Sequence, residues 1–257
     1  MLESLFTEPS WMYAAVFLAG MGAYIISVIA GGGGSLIMIP VMNFMVGSKA
    51  VAPIINLGDL IGRPSRLIIF WKDIRWDVVL WYAPAAIGGV LLAGWLFTRV
   101  EADWFQVIIG VFLMSTVFQY RFGKKERTFE MKKWYWLPLG FGVATISTIV
   151  GGLGPVLNPF YLNAGILKEE MIATKTANSF FMGAVQIGTY TFIGALYGDL
   201  WIFGIILGLG ATAGNLVGKK LLSSMTDEAF RKYVLAVMVI SGTYMILSKL
   251  GVFKNNC

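Results

Sequence analysis

Residues 30–40 read Ala30-Gly31-Gly32-Gly33-Gly34-Ser35-Leu36-Ile37-Met38-Ile39-Pro40, four consecutive glycines inside a hydrophobic run that extends from Trp11 to Val46. A helix carried through them would lose about 1 kcal/mol per glycine relative to alanine, so it is expected to break here. In a bilayer, broken backbone is tolerated only where it is buried in protein or lines a polar cavity. Ser35 stands where an N-cap belongs, ahead of a helical pattern over residues 36–46. The break would then face the free N–H groups and partial positive charge of a helix N-terminus, a device suited to an anion. The chain carries the pattern twice. Val150-Gly151-Gly152-Leu153-Gly154-Pro155 repeats it, with proline at the expected first helical position. Gly32 and Gly151, like Pro40 and Pro159, are 119 residues apart.

Composition places these breaks in a membrane. Of 257 residues, 57% are hydrophobic and 13% charged, with a mean hydropathy of +0.73. Met1-Leu2-Glu3-Ser4 lacks a basic n-region, so the first apolar stretch is expected to be retained rather than cleaved as a signal peptide. A single cysteine, Cys257, leaves no disulfide framework and no thiol metal site. With no histidine, the usual proton shuttle and most transition-metal chemistry are missing, and no metal or other cofactor is expected. The net charge of +6 does not point to nucleic acid, because the basic residues cluster between apolar segments as positive-inside loops do.

The chain reads as one transmembrane domain over residues 1–257, with repeat one at 11–120, a cytoplasmic linker at 121–133 and repeat two at 134–250. In repeat one, residues 11–30 and 36–46 flank the break, and spans follow at 50–70, 78–97 and 104–120. In repeat two, 134–149 and 156–165 flank the break, and spans follow at 171–194, 200–222 and 230–250. Lengths near 20 residues match a hydrocarbon core of about 30 Å. If each broken element re-enters and returns to its starting side, thirteen Lys and Arg fall on one side, four on the other and three inside spans. If each broken element crosses once, the best division of the loops is ten against seven. The positive-inside rule selects the first arrangement. It gives an all-α polytopic membrane protein of two inverted-topology repeats, each a glycine-broken, re-entrant helical element plus three transmembrane helices. The linker is then cytoplasmic and both termini lie outside, in the inner (cytoplasmic) membrane.

The glycine break with its Leu-Ile-x-Ile-Pro, the following span and the spaced Gly88, Gly89 and Gly94 resemble the TauE/SafE family, the toluene-sulfonate uptake permeases or sulfite exporters. The resemblance covers residues 14–247. In the second half it rests on Gly151-Gly152-Leu153-Gly154-Pro155 and Ile172-Ala173-Thr174-Lys175-Thr176-Ala177-Asn178. The first half departs from the latter pattern, since Val51-Ala52-Pro53-Ile54-Ile55-Asn56 has neither Lys nor Thr. The resemblance implies export or uptake of small sulfur-containing or carboxylate anions such as sulfite, sulfoacetate and other sulfonates.

The candidate substrate-binding residues are Gly33, Gly34, Ser35, Asn56, Arg63, Gly152, Gly154, Asn158, Lys175 and Asn178, with Asp59 as a coupling candidate. Asp59 and Arg63 are four apart on one helical face, with Arg66 the next turn on. Charge inside a span is a functional suspect by default. Each residue also has a packing role open to it: Arg63 as an ion-pair partner of Asp59, Arg66 or Lys175 reaching to the interface, and Asn56 and Asn178 bonding between helices. Asn163 is expected to cap the short helix, and the glycines of residues 88–94 and 208–218 to permit close packing.

Three function classes are weighed: a secondary transporter of a small anion, an anion channel built from the same residues, and a membrane enzyme. The enzyme lacks a catalytic constellation, and no Gly-x-x-x-x-Gly-Lys-Ser/Thr loop exists for ATP. The expected partners are the anion, the lipid bilayer and a second copy of the chain in a homo-oligomer.

Overall fold

The structure, a computed structural model, describes residues 10–96, 111, 130–150 and 154–249. The expected span at 104–120 apart from residue 111, residues 121–129 of the linker, and Gly151, Gly152 and Leu153 lie outside the described residues. The described elements are helical. They are α1 (Ser10–Ile29), α2 (Gly34–Val46), α3 (Ser48–Ile69), α4 (Trp76–Leu96), α5 (Trp136–Val150), α6 (Asn158–Asn163), α7 (Lys168–Phe192), α8 (Leu200–Ser223) and α9 (Asp227–Lys249). Short 3₁₀ turns at Trp71–Asp73, Lys133–Tyr135 and Gly154–Leu157 precede α4, α5 and α6. Among the described residues, three helices are long and apolar enough to cross a membrane: Trp11–Ile29, Trp76–Leu96 and Leu200–Ser223. The long helices α3, α7 and α9 carry charge among their apolar residues. Leu18, Phe44, Ile68, Leu80 and Phe192 are exposed on the outer surface, as lipid-facing side chains are.

The first break falls where the glycines predict it, but its cap differs. Gly31, Gly32 and Gly33 all have positive φ (65°, 127° and 101°). The Ile37 N–H donates to the Gly33 carbonyl at 3.2 Å, which makes Gly33 the N-cap and Ser35 the second residue inside α2. A left-handed glycine turns the chain into the helix through its backbone, so no side-chain oxygen is needed. The second break also differs. Gly154-Pro155 opens a 3₁₀ turn, and the α-helix begins only at Asn158, with Pro159 in its first turn.

Helix directions follow from the close contacts. A Cβ on Gly210 or Gly214 would run into the carbonyls of Phe17 and Met21, and one on Gly218 would meet Val28, so α8 runs parallel to α1. Gly204 packs on Leu57 and Gly208 on Ile61, so α3 shares that direction. Small residues at these crossings let the backbones approach closely, which drives helix association in lipid. A second parallel set comprises α4, α5 and α7. Gly140 abuts the Tyr82 carbonyl, Gly89 abuts Phe141 and Thr145, the Arg75 N–H donates to Thr174 Oγ1 at 3.0 Å, and Gly94 packs on Thr189. The two sets cross at α3 and α7 in opposite senses, with Asn56 beside Tyr190 and Arg63 beside Gly183. Each set contains the first and third helices of one half and a later helix of the other half.

Helix α2 must therefore lead back along α1. It starts at the end where α1 stops, and α3 starts one residue after it at the end where α8 begins. Its 13 residues cover about 20 Å, short of a full crossing.

Candidate anion site

One cleft opens between the first break and helices α1, α3, α7 and α8, and it holds about 80 Å³. Three helices line it with residues at i, i+3 and further steps of one helical face. These are Tyr24 and Ser27 from α1, Asp59, Gly62, Arg63 and Arg66 from α3, and Ile172, Lys175, Thr176 and Ser179 from α7. Gly31, Gly32, Gly33 and Ser35 close one side, and Asn215 of α8 another. Asp59 is at the middle of α3 and Arg66 within a turn of its end. The cleft therefore runs from the middle of α3 toward its C-terminal end.

The charged residues are held from behind. The Tyr24 hydroxyl donates to Asp59 Oδ1, and Arg63 Nη2 lies 3.4 Å from Asp59 Oδ2. The other Arg63 nitrogen, Nη1, is buried without a hydrogen-bond partner and rests against Gly183. A Cβ at position 183 would overlap it. Arg66 folds inward instead of reaching to the interface. Its Nε donates to Asn215 Oδ1 at 2.6 Å, its guanidinium lies 5.5 Å from the Tyr24 ring centroid, and its Nη2 is buried without a partner. Asn215 is itself fixed, donating through Nδ2 to the Gly62 carbonyl at 3.0 Å and to Ser65 Oγ at 2.9 Å. Lys175 donates to the Gly31 carbonyl and, at 2.5 Å, to Asn158 Oδ1, so one ammonium bridges the first break and the helix after the second.

The candidates therefore separate. The cleft brings together Gly33, Ser35, Asp59, Arg63 and Lys175. Asn158 lies behind Lys175 and is fully buried. Asn56 and Asn178 do not line the cleft. Asn56 donates to the Tyr190 hydroxyl and Asn178 to the Tyr161 hydroxyl, each at 2.9 Å, and Tyr190 in turn donates to the Thr148 carbonyl at 2.5 Å. Gly34 packs against Ser27 and the Ala23 carbonyl rather than the cleft. Gly154 opens the 3₁₀ turn at the second break, and Gly152 lies outside the described residues. Asn163 donates to the Pro159 carbonyl one turn back at 2.9 Å. Sequence reasoning did not single out Tyr24, Ser27, Thr176, Ser179 or Asn215, and it left Arg66 open. Ser179 stands four residues from Lys175 and Arg66 three from Arg63, a spacing legible in the sequence, whereas Tyr24, Ser27 and Asn215 lie on other helices and carry no such signal.

Three cations and one carboxylate thus share a small, walled space with the glycine break. The profile described as Sulfite exporter TauE/SafE matches residues 16–245. The chain belongs to the TauE/SafE sulfite exporter family. No curated protein and no solved structure matches it. TauE/SafE membership makes the chain a membrane transporter for sulfur anions such as sulfite, and the apolar exterior and three spanning-length helices agree with that setting.

Proposed function

We propose that the chain is a secondary transporter that holds a small sulfur oxyanion, sulfite or a compact sulfonate, in the cleft beside Arg63, Arg66 and Lys175 and moves it by alternating access. The observation that carries this is the charge of the cleft: three basic side chains against the single carboxylate of Asp59. A net excess of two positive charges suits a dianion, which would otherwise be costly to remove from water. The first amides of α2, which have no carbonyl one turn before them, add about half a positive charge. Size agrees with charge. At about 15 Å³ of such space per water, 80 Å³ holds about five waters, enough for a four-atom oxyanion but not for an aryl group as well.

The halves act as inverted-topology repeats in this reading. Two helix sets of opposite sense, each built from both halves, support that arrangement, as does α2 leading back along α1 as a re-entrant element would. Rocking one set against the other would uncover the cleft on alternate sides. The basic linker at 121–133 and Lys72, Arg75, Lys168, Lys219 and Lys220 are then cytoplasmic.

The test is counterflow in proteoliposomes. Vesicles loaded with unlabelled sulfite should accumulate labelled sulfite above equilibrium, and Arg63→Gln vesicles should not. Flux that never saturates and shows no counterflow would indicate a channel and refute the transporter.

A further inference from the structure

Arg63 has two claimants. Its Nη2 is turned to Asp59 Oδ2, yet at 3.4 Å the contact is longer than a charge-assisted hydrogen bond of about 2.7–2.9 Å. The opposite oxygen of Asp59 is already occupied by the Tyr24 hydroxyl. An anion in the cleft meets the same guanidinium and also the negative charge of Asp59. Attraction of Arg63 to Asp59 and repulsion of the anion by Asp59 both oppose anion binding, and one proton on Asp59 removes both. The remaining titratable groups facing the space are Tyr24 from α1, Arg66 from α3 and Lys175 from α7. Asn215 from α8 and Ser35 from α2 bring no charge. Arg66 and Lys175 have acceptors of their own in Asn215, Gly31 and Asn158, whereas among the described residues Arg63 has Asp59 as its one acceptor.

We propose that Asp59 is a proton-binding site coupled to the anion, so that each anion bound in the cleft takes up one proton there and the two cross together. This rests on the reading of the cleft as the anion site. Protonated Asp59 keeps its contact with Tyr24 and releases the fork of Arg63, whose planar donors then meet two oxygens of the anion. By linkage the effect is mutual: anion binding favours protonation as much as protonation favours the anion.

The experiment is titration calorimetry of the purified full chain with sulfate and with thiosulfate. Both stay dianions from about pH 5 to about pH 8, so any pH dependence belongs to the protein. Repeating each titration in two buffers of different ionisation enthalpy counts protons taken up. The expected result is an affinity that falls toward tenfold per pH unit at the upper end, with uptake approaching one proton per anion there. Asp59→Asn should bind at the parent's low-pH affinity across the range and take up no proton. The proton count is made on the parent, so the proposal stays testable even if the variant does not fold. Binding that is flat with pH and takes up no proton overturns the coupling and leaves the anion site standing. Uptake that persists in Asp59→Asn also overturns it, because the proton then sits elsewhere. Failure of both anions to bind at any pH overturns the anion site and the coupling together.

Discussion

Gly183→Ala tests whether the placement of Arg63 depends on a missing side chain. Position 183 lies on α7 at the crossing with α3, and a Cβ there would overlap Arg63 Nη1. The first atom outside the guanidinium that it would meet, Leu60 Cδ1, is at 3.4 Å, an ordinary distance, so the conflict is with the guanidinium. Alanine in a helix interior is favoured over glycine by about 1 kcal/mol. Overpacking a filled site costs about 1–3 kcal/mol, so thermal stability should change little or fall modestly. The guanidinium is the end of a flexible side chain and will yield, leaving Asp59 and the cleft. Sulfate binding should then weaken at least tenfold, or about 1.4 kcal/mol. In an Arg63→Gln background the shorter side chain leaves position 183 unopposed, and the same alanine should be neutral or slightly stabilising. A double-mutant cycle read by calorimetry and thermal unfolding should give a coupling above about 1 kcal/mol. Equal losses in both backgrounds would refute the reasoning, as would binding within threefold of the parent.

Four further outcomes are expected. Arg63→Gln should weaken sulfate binding more than tenfold, about 1.4 kcal/mol, with Arg63→Lys restoring part of it; parent-like binding by Asp59→Asn/Arg63→Gln would reduce Arg63 to a partner of Asp59. Asn215→Ala strips Arg66 Nε of its acceptor inside the protein and should lower stability by about 1–3 kcal/mol in a thermal melt, whereas an unchanged melting temperature would show that the guanidinium finds water. Gly33→Val forces a branched residue to a φ of 101° and should abolish transport in a chain that still inserts, and full transport would make the break a packing feature. In a chain with Cys257 replaced, cysteines at Lys125 and Ser224 should both resist an impermeant maleimide applied from outside; labelling of one alone would sink the inverted arrangement, and labelling of both the orientation.

Much of this protein follows from local rules that the chain carries in itself. Apolar runs of about 20 residues specify membrane helices because only a helix satisfies its own backbone in lipid. Consecutive glycines specify a break because nothing in them resists positive φ, and α1 and α2 end and begin beside Gly31–Gly33 as that predicts. The face shared by Asp59, Arg63 and Arg66 is a matter of helical pitch alone. Tertiary structure decided which of the polar residues meet. Asn56 and Asn178 have the same chemistry as Asn215, yet the first two turn to Tyr190 and Tyr161 while Asn215 holds Arg66. Pitch places them on a helix, but only the crossing of α3 with α7 and α8, and the packing of α6 on α7, sets which neighbour each one reaches. The same holds for Arg66, whose long side chain could extend to the interface or fold inward; Asn215 and the Tyr24 ring settle it. The cap at Gly33 instead of Ser35, and the inward bridge of Lys175 to the first break, likewise depend on contacts more than a hundred residues apart or on backbone angles that residue type permits but does not impose.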